Sequence, residues 1–167
     1  MAESHKNRGL DFEKIISDKC EEYMKSKRAY ILKFPTEWSV IRKGKMIVSA
    51  FPKKKSICDF LGVLANGQAI AIEAKRISSS LTSFPFSNIH DHQFIFFKDF
   101  IKCGGLGYYL VFWKSLNECY LVTSEKIQDA KDNLGRKSIP IDWFHNVDNC
   151  IEVEDFEFLN YIENKKI

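Results

Sequence analysis

Asp59-Phe60-Leu61-Gly62-Val63-Leu64-Ala65-Asn66-Gly67-Gln68-Ala69-Ile70-Ala71-Ile72-Glu73-Ala74-Lys75 is the stretch on which the reading of this chain turns. Two apolar runs flank Asn66-Gly67, a dipeptide that accepts the positive φ of a tight turn, so the stretch predicts a β-hairpin. Residues two apart on a strand share a face. Glu73 and Lys75 therefore point one way, while Ile72 and Ala74 point the other. An acid and a base on one face of an apolar strand carry a desolvation cost, which a bound cation and a phosphate offset. Two carboxylates, Asp59 and Glu73, make a hard-oxygen set of the kind that Mg²⁺ accepts while it retains waters. Such an ion acidifies and orients a water and stabilises charge on a phosphorane. Lys75 then holds that water or neutralises the phosphate. Taken alone, the spacing is a weak signal, because an edge-strand Glu–Lys pair facing solvent reads the same way.

Register decides whether Asp59 joins that face. A two-residue Asn66-Gly67 turn pairs Asp59 with Ala74, on the wrong side. A three-residue loop, Asn66-Gly67-Gln68 with a glycine bulge, pairs it with Lys75 and restores the parity. A bulge at Gly62 does the same. The chemistry thus predicts an irregularity in this hairpin.

Working outward toward the N-terminus, residues 37–56 carry Arg42, Lys43, Lys45, Lys53, Lys54 and Lys55 with no acid after Glu37. Met46-Ile47-Val48-Ser49-Ala50-Phe51 runs between them. This reads either as a projecting basic arm or as a solvated charged loop. Before it, Tyr30–Phe34 predicts a strand stopped by Pro35. Helical spacing of Phe12, Ile15, Ile16, Cys20, Tyr23 and Met24 predicts a helix over 11–27, with Asn7-Arg8-Gly9 as a preceding loop. Toward the C-terminus come a hydroxyl-rich loop over 76–88, a helix over 91–102 ended by Gly104-Gly105, and strands over 108–113 and 118–123. A short helix over 124–132, a loop at Gly135–Ser138, and a final helix capped by Asp155 follow. Helices alternating with strands predict an α/β fold with a mixed central sheet flanked by helices.

Bulk properties narrow the class. The chain has 167 residues, which suggests a single domain spanning 1–167, and 45% hydrophobic content with 14 Phe suits a packed globule. No apolar run is long enough to span a membrane, and the polar first residues lack the apolar core of a signal peptide, so a cytoplasmic protein is expected. The five widely spaced Cys contain no C-x-x-C pair and read as small buried apolar residues rather than disulfides or a zinc site. Net charge is +3, but seven acids and two lysines lie from Asp142 onward, leaving a basic body that suits a polyanion such as DNA.

Several motifs together resemble the RecU-type Holliday-junction resolvases, within the PD-(D/E)xK nuclease superfamily. They are Asn7-Arg8-Gly9 before a helix carrying Glu13, Pro35-Thr36, Asp59-Phe60-x-Gly62, Glu73-Ala74-Lys75, Thr82-Ser83-Phe84-Pro85-Phe86-x-Asn88-x-His90-Asp91-His92-Gln93, and Gly135-Arg136-Lys137-Ser138-Ile139. The Thr82–Gln93 block is the most specific of them. The resemblance implies a restriction-endonuclease-like core with a projecting stalk at about 37–56. It also implies a homodimer that nicks four-way DNA junctions in pairs, using Mg²⁺ or Mn²⁺; the sequence leaves open whether a recombinase is a further partner. Carried over, Asp59 and Glu73 bind metal, Lys75 serves the nucleophile, and Glu13 and Gln93 complete the site. Cys58 stands where the superfamily pattern has Pro, Ile57-Cys58 replaces threonines, and the stalk is several residues shorter than usual.

The candidate DNA contacts are Arg8, the six basic residues of 37–56, Ser83, His90, His92, Arg136 and Lys137. Ser83 lies in the hydroxyl loop, which reads as phosphate-touching or as a plain connector. Arg136 and Lys137 read equally as exposed charges. His90-x-His92 sits at a helix start, where capping or DNA contact fits better than zinc. Phe94–Phe100 and Tyr108–Trp113 are expected to supply both core and dimer-interface material. Trp38, Trp113 and Trp143 read as core or interface anchors.

Overall fold

The computed structural model describes residues 5–53 and 56–164, and for residues 5–11 the backbone alone. In chain order it contains α1 (His5–Lys25), β1 (Ala29–Lys33), β2 (Trp38–Lys43), β3 (Met46–Pro52), β4 (Phe60–Leu64), β5 (Ala69–Ile77) and β6 (Ser83–Pro85). There follow α2 (Asp91–Lys102), β7 (Leu106–Trp113), β8 (Glu118–Thr123), α3 (Ser124–Asn133), β9 (Ser138–Pro140), α4 (Ile141–Phe144), β10 (Ile151–Glu152) and α5 (Phe158–Glu163).

The main sheet has the order β1-β4-β5-β7-β8-β10. Only β5–β7 is parallel; the other described pairs in it are antiparallel. A parallel pair needs a crossover, and the chain supplies it with the segment that carries α2. Side-chain alternation sorts the core into two layers. Ile31, Phe60, Ile70, Ile72 and Leu110 point toward α1 and α5, whose Phe12, Ile16, Phe158 and Leu159 cover them. Ala71, Tyr109, Val111 and Val122 point the other way, under Phe94 and Phe97 of α2 and Ile127 of α3. Each large apolar side chain sealed this way contributes roughly 1.5–3 kcal/mol relative to exposure.

Several sequence expectations need correction. Helix α1 begins at His5, so Asn7-Arg8-Gly9 lie inside it rather than in a loop. The loop expected over 76–88 contains β6, which pairs with β9 at Phe84↔Ile139. That pairing joins two motif blocks distant in sequence. Asp155 does not cap the last helix: it sits at φ 48 in a 3₁₀ turn, and Glu157 precedes α5. Glu157 makes no cap bond there because its carboxylate is taken by Lys19 and Tyr23. The Tyr108–Trp113 run is not interface material. Strand β7 lies between β5 and β8, and all of its residues from 107 to 113 except the half-buried Phe112 are buried. Four of the five cysteines are buried and Cys103 is exposed. Trp113 is core, whereas Trp38 is 58% exposed.

The segment around 37–53 forms a two-stranded ribbon, β2–β3, that pairs with no strand of the main sheet. Gly44 at φ 61 opens its turn, the position where a type II′ hairpin wants glycine. Register shifts between Ile41 and Arg42, which leaves Val48 as an extra, bulged residue. Of its strand residues only Ser39 is half-buried, and the others are exposed. Among the described residues no helix is long and apolar enough to cross a membrane.

Candidate active site

The β4–β5 hairpin closes with a three-residue loop, Ala65-Asn66-Gly67. Leu64 N–H donates to the Gln68 carbonyl and Gly67, at φ 85, donates to Leu64. The irregularity required by the chemistry is therefore present, but one residue earlier than the Asn66–Gln68 loop. The ladder runs from Val63↔Ala69 to Phe60↔Ile72. Continued by one step, it sets Asp59 opposite Glu73 rather than opposite Lys75 or Ala74. Gly62 carries no bulge and pairs on both sides. Its glycine is required because a Cβ there would lie 2.1 Å from the Tyr30 carbonyl oxygen of β1.

Beyond Phe60 the two strands part, and Asp59 bridges them with its side chain. Its N–H donates to the Ile72 carbonyl at 3.1 Å, and its Oδ2 accepts from the Ala74 N–H at 2.8 Å. Glu73 is buried on the face covered by α2. Its Oε1 accepts from Gln93 Nε2 and pairs with Lys75 Nζ, both at 2.6 Å. Its Oε2 is buried and has no partner among the described residues. Burial pushes the Asp59 carboxyl up to about 7, helped by the charges of Glu73 and Glu13 and opposed by the Ala74 N–H and Lys75. Asp59 as a residue keeps part of its surface open, yet its carboxyl group is enclosed enough for desolvation to dominate.

Glu13 thus lies near enough to act on Asp59, and it pairs with Lys33 at 2.6 Å. Lys33, at the end of β1, and Tyr109 were not singled out by the sequence. Tyr109 stands beside Glu73 in the parallel register, with its hydroxyl buried and unpartnered among the described residues. Only the strand order brings it there, so no local pattern could have found it. Among the described residues, no group of three or more His, Cys, Asp or Glu is placed to hold a metal ion. Two carboxylates with an orphaned buried oxygen nonetheless fit a hard cation that takes its remaining ligands from water and phosphate.

A family model described as Recombination protein U matches residues 7–166. The chain belongs to the RecU family. A Holliday junction resolvase RecU of Pediococcus pentosaceus is 31% identical over 165 residues, covering 93% of this chain and 81% of the relative. Its counterpart in Oceanobacillus iheyensis is 30% identical over 165 residues, covering 93% and 83%. That of Listeria welshimeri is 31% identical over 153 residues, covering 86% and 75%.

The remaining candidate residues of this RecU-family chain fall into two groups. Close to the site, His90 caps α2 in a reciprocal box with Gln93, and its ring stacks on His92 at 5.4 Å. His92 is half-buried, with Nε2 3.0 Å from the Ser56 carbonyl. Ser83 is half-buried opposite Pro140. Elsewhere, Arg42, Lys43 and Lys45 are exposed at the ribbon tip, and Lys53 is exposed but pairs with Glu37 at 2.6 Å. Arg136 and Lys137 are exposed just before β9. Lys54, Lys55 and the side chain of Arg8 lie outside the described residues.

Proposed function

We propose that the chain is a structure-selective DNA endonuclease that resolves four-way junctions by paired nicks in recombination and repair, with Mg²⁺ or Mn²⁺ held by Asp59 and Glu73 in a restriction-endonuclease-like core. The observation that carries the metal assignment is the enclosed Asp59 carboxyl facing Glu73, whose Oε2 is left without a partner. Membership of a family whose relatives are Holliday junction resolvases supports the substrate. When bound, the cation lowers the pKa of a water and offsets charge that builds on the phosphate. The chain's own residues do the rest. Gln93 and the Ala74 N–H each hold one carboxylate oxygen, leaving Glu73 Oε2 and Asp59 Oδ1 to ligate. Lys75, paired with Glu73, brings its ammonium beside the scissile phosphate and offsets the charge there. Glu13, paired with Lys33, adds negative charge at the edge of the site.

In the same reading the ribbon is a basic stalk whose Arg42, Lys43 and Lys45 meet phosphates near the junction centre. Lys53–Lys55, Arg8, Ser83, His90, Arg136 and Lys137 supply further DNA contacts. Two copies related by a two-fold axis cut the two strands symmetrically. The test is cleavage of a four-way junction beside linear duplex, in Mg²⁺ and in EDTA. Partners behind a metal ligand are worth roughly 10–100-fold, so loss of a ligand should exceed that. Asp59→Asn and Glu73→Gln should each remove cleavage while junction binding, which rests on phosphate contacts, is retained. Full activity in either variant would sink the assignment.

A further inference from the structure

Two neighbouring side chains at the start of α2 reach the two segments that carry the carboxylates. Gln93 holds Glu73. His92, one residue earlier, holds the carbonyl of Ser56. A carbonyl only accepts, so His92 Nε2 must carry the proton and donate. Ser56 passes the constraint onward, because its hydroxyl donates to the Cys58 carbonyl, the peptide that leads directly into Asp59. Residues 56–59 belong to no strand. Asp59 is itself tied to the neighbouring strands by its N–H to Ile72 and its carbonyl to Phe34, whereas residues 56–58 ahead of it make no ladder pairing among the described residues and are held by bonds such as these. The donor is also fixed in direction: the His92 ring lies against that of His90, with 16° between the planes, and His90 is itself locked into the helix cap by Gln93.

We propose that His92 is a positioning residue for the metal pair, pinning the Ser56 peptide so that one helical turn sets both carboxylates. Glu73 is set through Gln93, and Asp59 through His92 and Ser56. This rests on the reading of Asp59 and Glu73 as the cation's ligands. It differs from a role for His92 in DNA contact, which would act on junction affinity and leave the metal untouched.

The experiment is a Mn²⁺ titration of the DNA-free protein, followed by the electron paramagnetic resonance signal of the free ion. Wild type, His92→Ala, His92→Gln and Asp59→Asn are compared, and junction affinity is measured separately in EDTA. Outer-shell hydrogen bonds of this kind are worth roughly 10–100-fold in metal affinity, so His92→Ala should weaken Mn²⁺ binding by about tenfold or more. Its junction affinity should stay at the wild-type level. His92→Gln keeps an N–H donor and should recover most of the loss. Wild-type Mn²⁺ affinity in His92→Ala overturns the proposal, as does an equal loss in the Ala and Gln variants. A loss of junction affinity with Mn²⁺ binding intact also overturns it and assigns His92 to DNA. If Asp59→Asn leaves Mn²⁺ binding intact, the ligand assignment itself fails, and this proposal with it. If Asp59→Asn abolishes binding and His92→Ala does not, only the role of His92 falls.

Discussion

Asp59 and Glu73 show how two acids with similar intrinsic chemistry are held apart by their surroundings. Glu73 shares one oxygen between an amide and an ammonium. Asp59 has one backbone N–H on its carboxylate, and burial with nearby negative charge raises its pKa. The sign of the linkage follows. A carboxyl with a folded pKa near 7 and an unfolded value of about 3.9 binds more protons when folded across that window. The metal-free protein should therefore lose stability as pH rises from about 4 to about 7, and hold the full contribution below it. Thermal melts in EDTA should show a steeper fall with pH for wild type than for Asp59→Asn. Added Mg²⁺, competing with that proton, should raise the melting temperature more at pH 8 than at pH 5. A wild-type curve parallel to that of Asp59→Asn would refute the raised carboxyl. The identities of these two residues, and of Lys75, were legible because an acid and a base on an apolar strand stand out. The orphaned Oε2 was not, because it depends on where a helix packs, and Gln93 was reached only through the family resemblance.

At the scale of elements, the β4–β5 hairpin was legible from Asn66-Gly67, but its register was not. Two-residue and three-residue loops fit the same letters, and the choice falls to contacts beyond the hairpin. Gly62 is one of those contacts, since β1 approaches it too closely for a side chain. Gly62→Ala should destabilise the protein by about 1–3 kcal/mol, the usual cost of overpacking, as read from urea unfolding. An unchanged midpoint would mean that β1 yields freely. The ribbon makes the complementary case. Its sequence reads as an arm or as a solvated loop, and the structure makes it a ribbon whose apolar residues are exposed, including Met46 at 69% and Val48 at 55%. The role proposed for it rests on charge at the tip. Neutralising Arg42, Lys43 and Lys45 should weaken junction binding and flatten its salt dependence by about 0.9 in the log–log slope for each phosphate no longer neutralised. An unchanged slope would reduce the ribbon to a solvated loop.

At the scale of the molecule, paired nicking calls for two sites, hence two copies. With β7 buried, the exposed apolar residues outside the ribbon, such as Tyr30 and Leu32 on the edge strand and Ile95 on α2, are the remaining candidates for an interface. Sedimentation at micromolar concentration should give a homodimer. A strict monomer, both alone and on a junction, would favour a single-strand nicking enzyme of the same fold. The sequence by itself determined the α/β class, the hairpin, α2, the motif blocks and the candidates for the chemistry. These are local signals: period, turn dipeptides and unusual residues on apolar strands. Only the tertiary structure decided that Asp59 faces Glu73, that Glu13 and Lys33 reach the same edge, that Tyr109 stands beside the carboxylate, and that His92 grips Ser56. Apart from Asp59 and Glu73, which share one hairpin, those pairings join segments far apart in the chain. Their proximity follows from strand order, close approach and helix packing, which are set by burying the whole core at once rather than by any neighbouring residues.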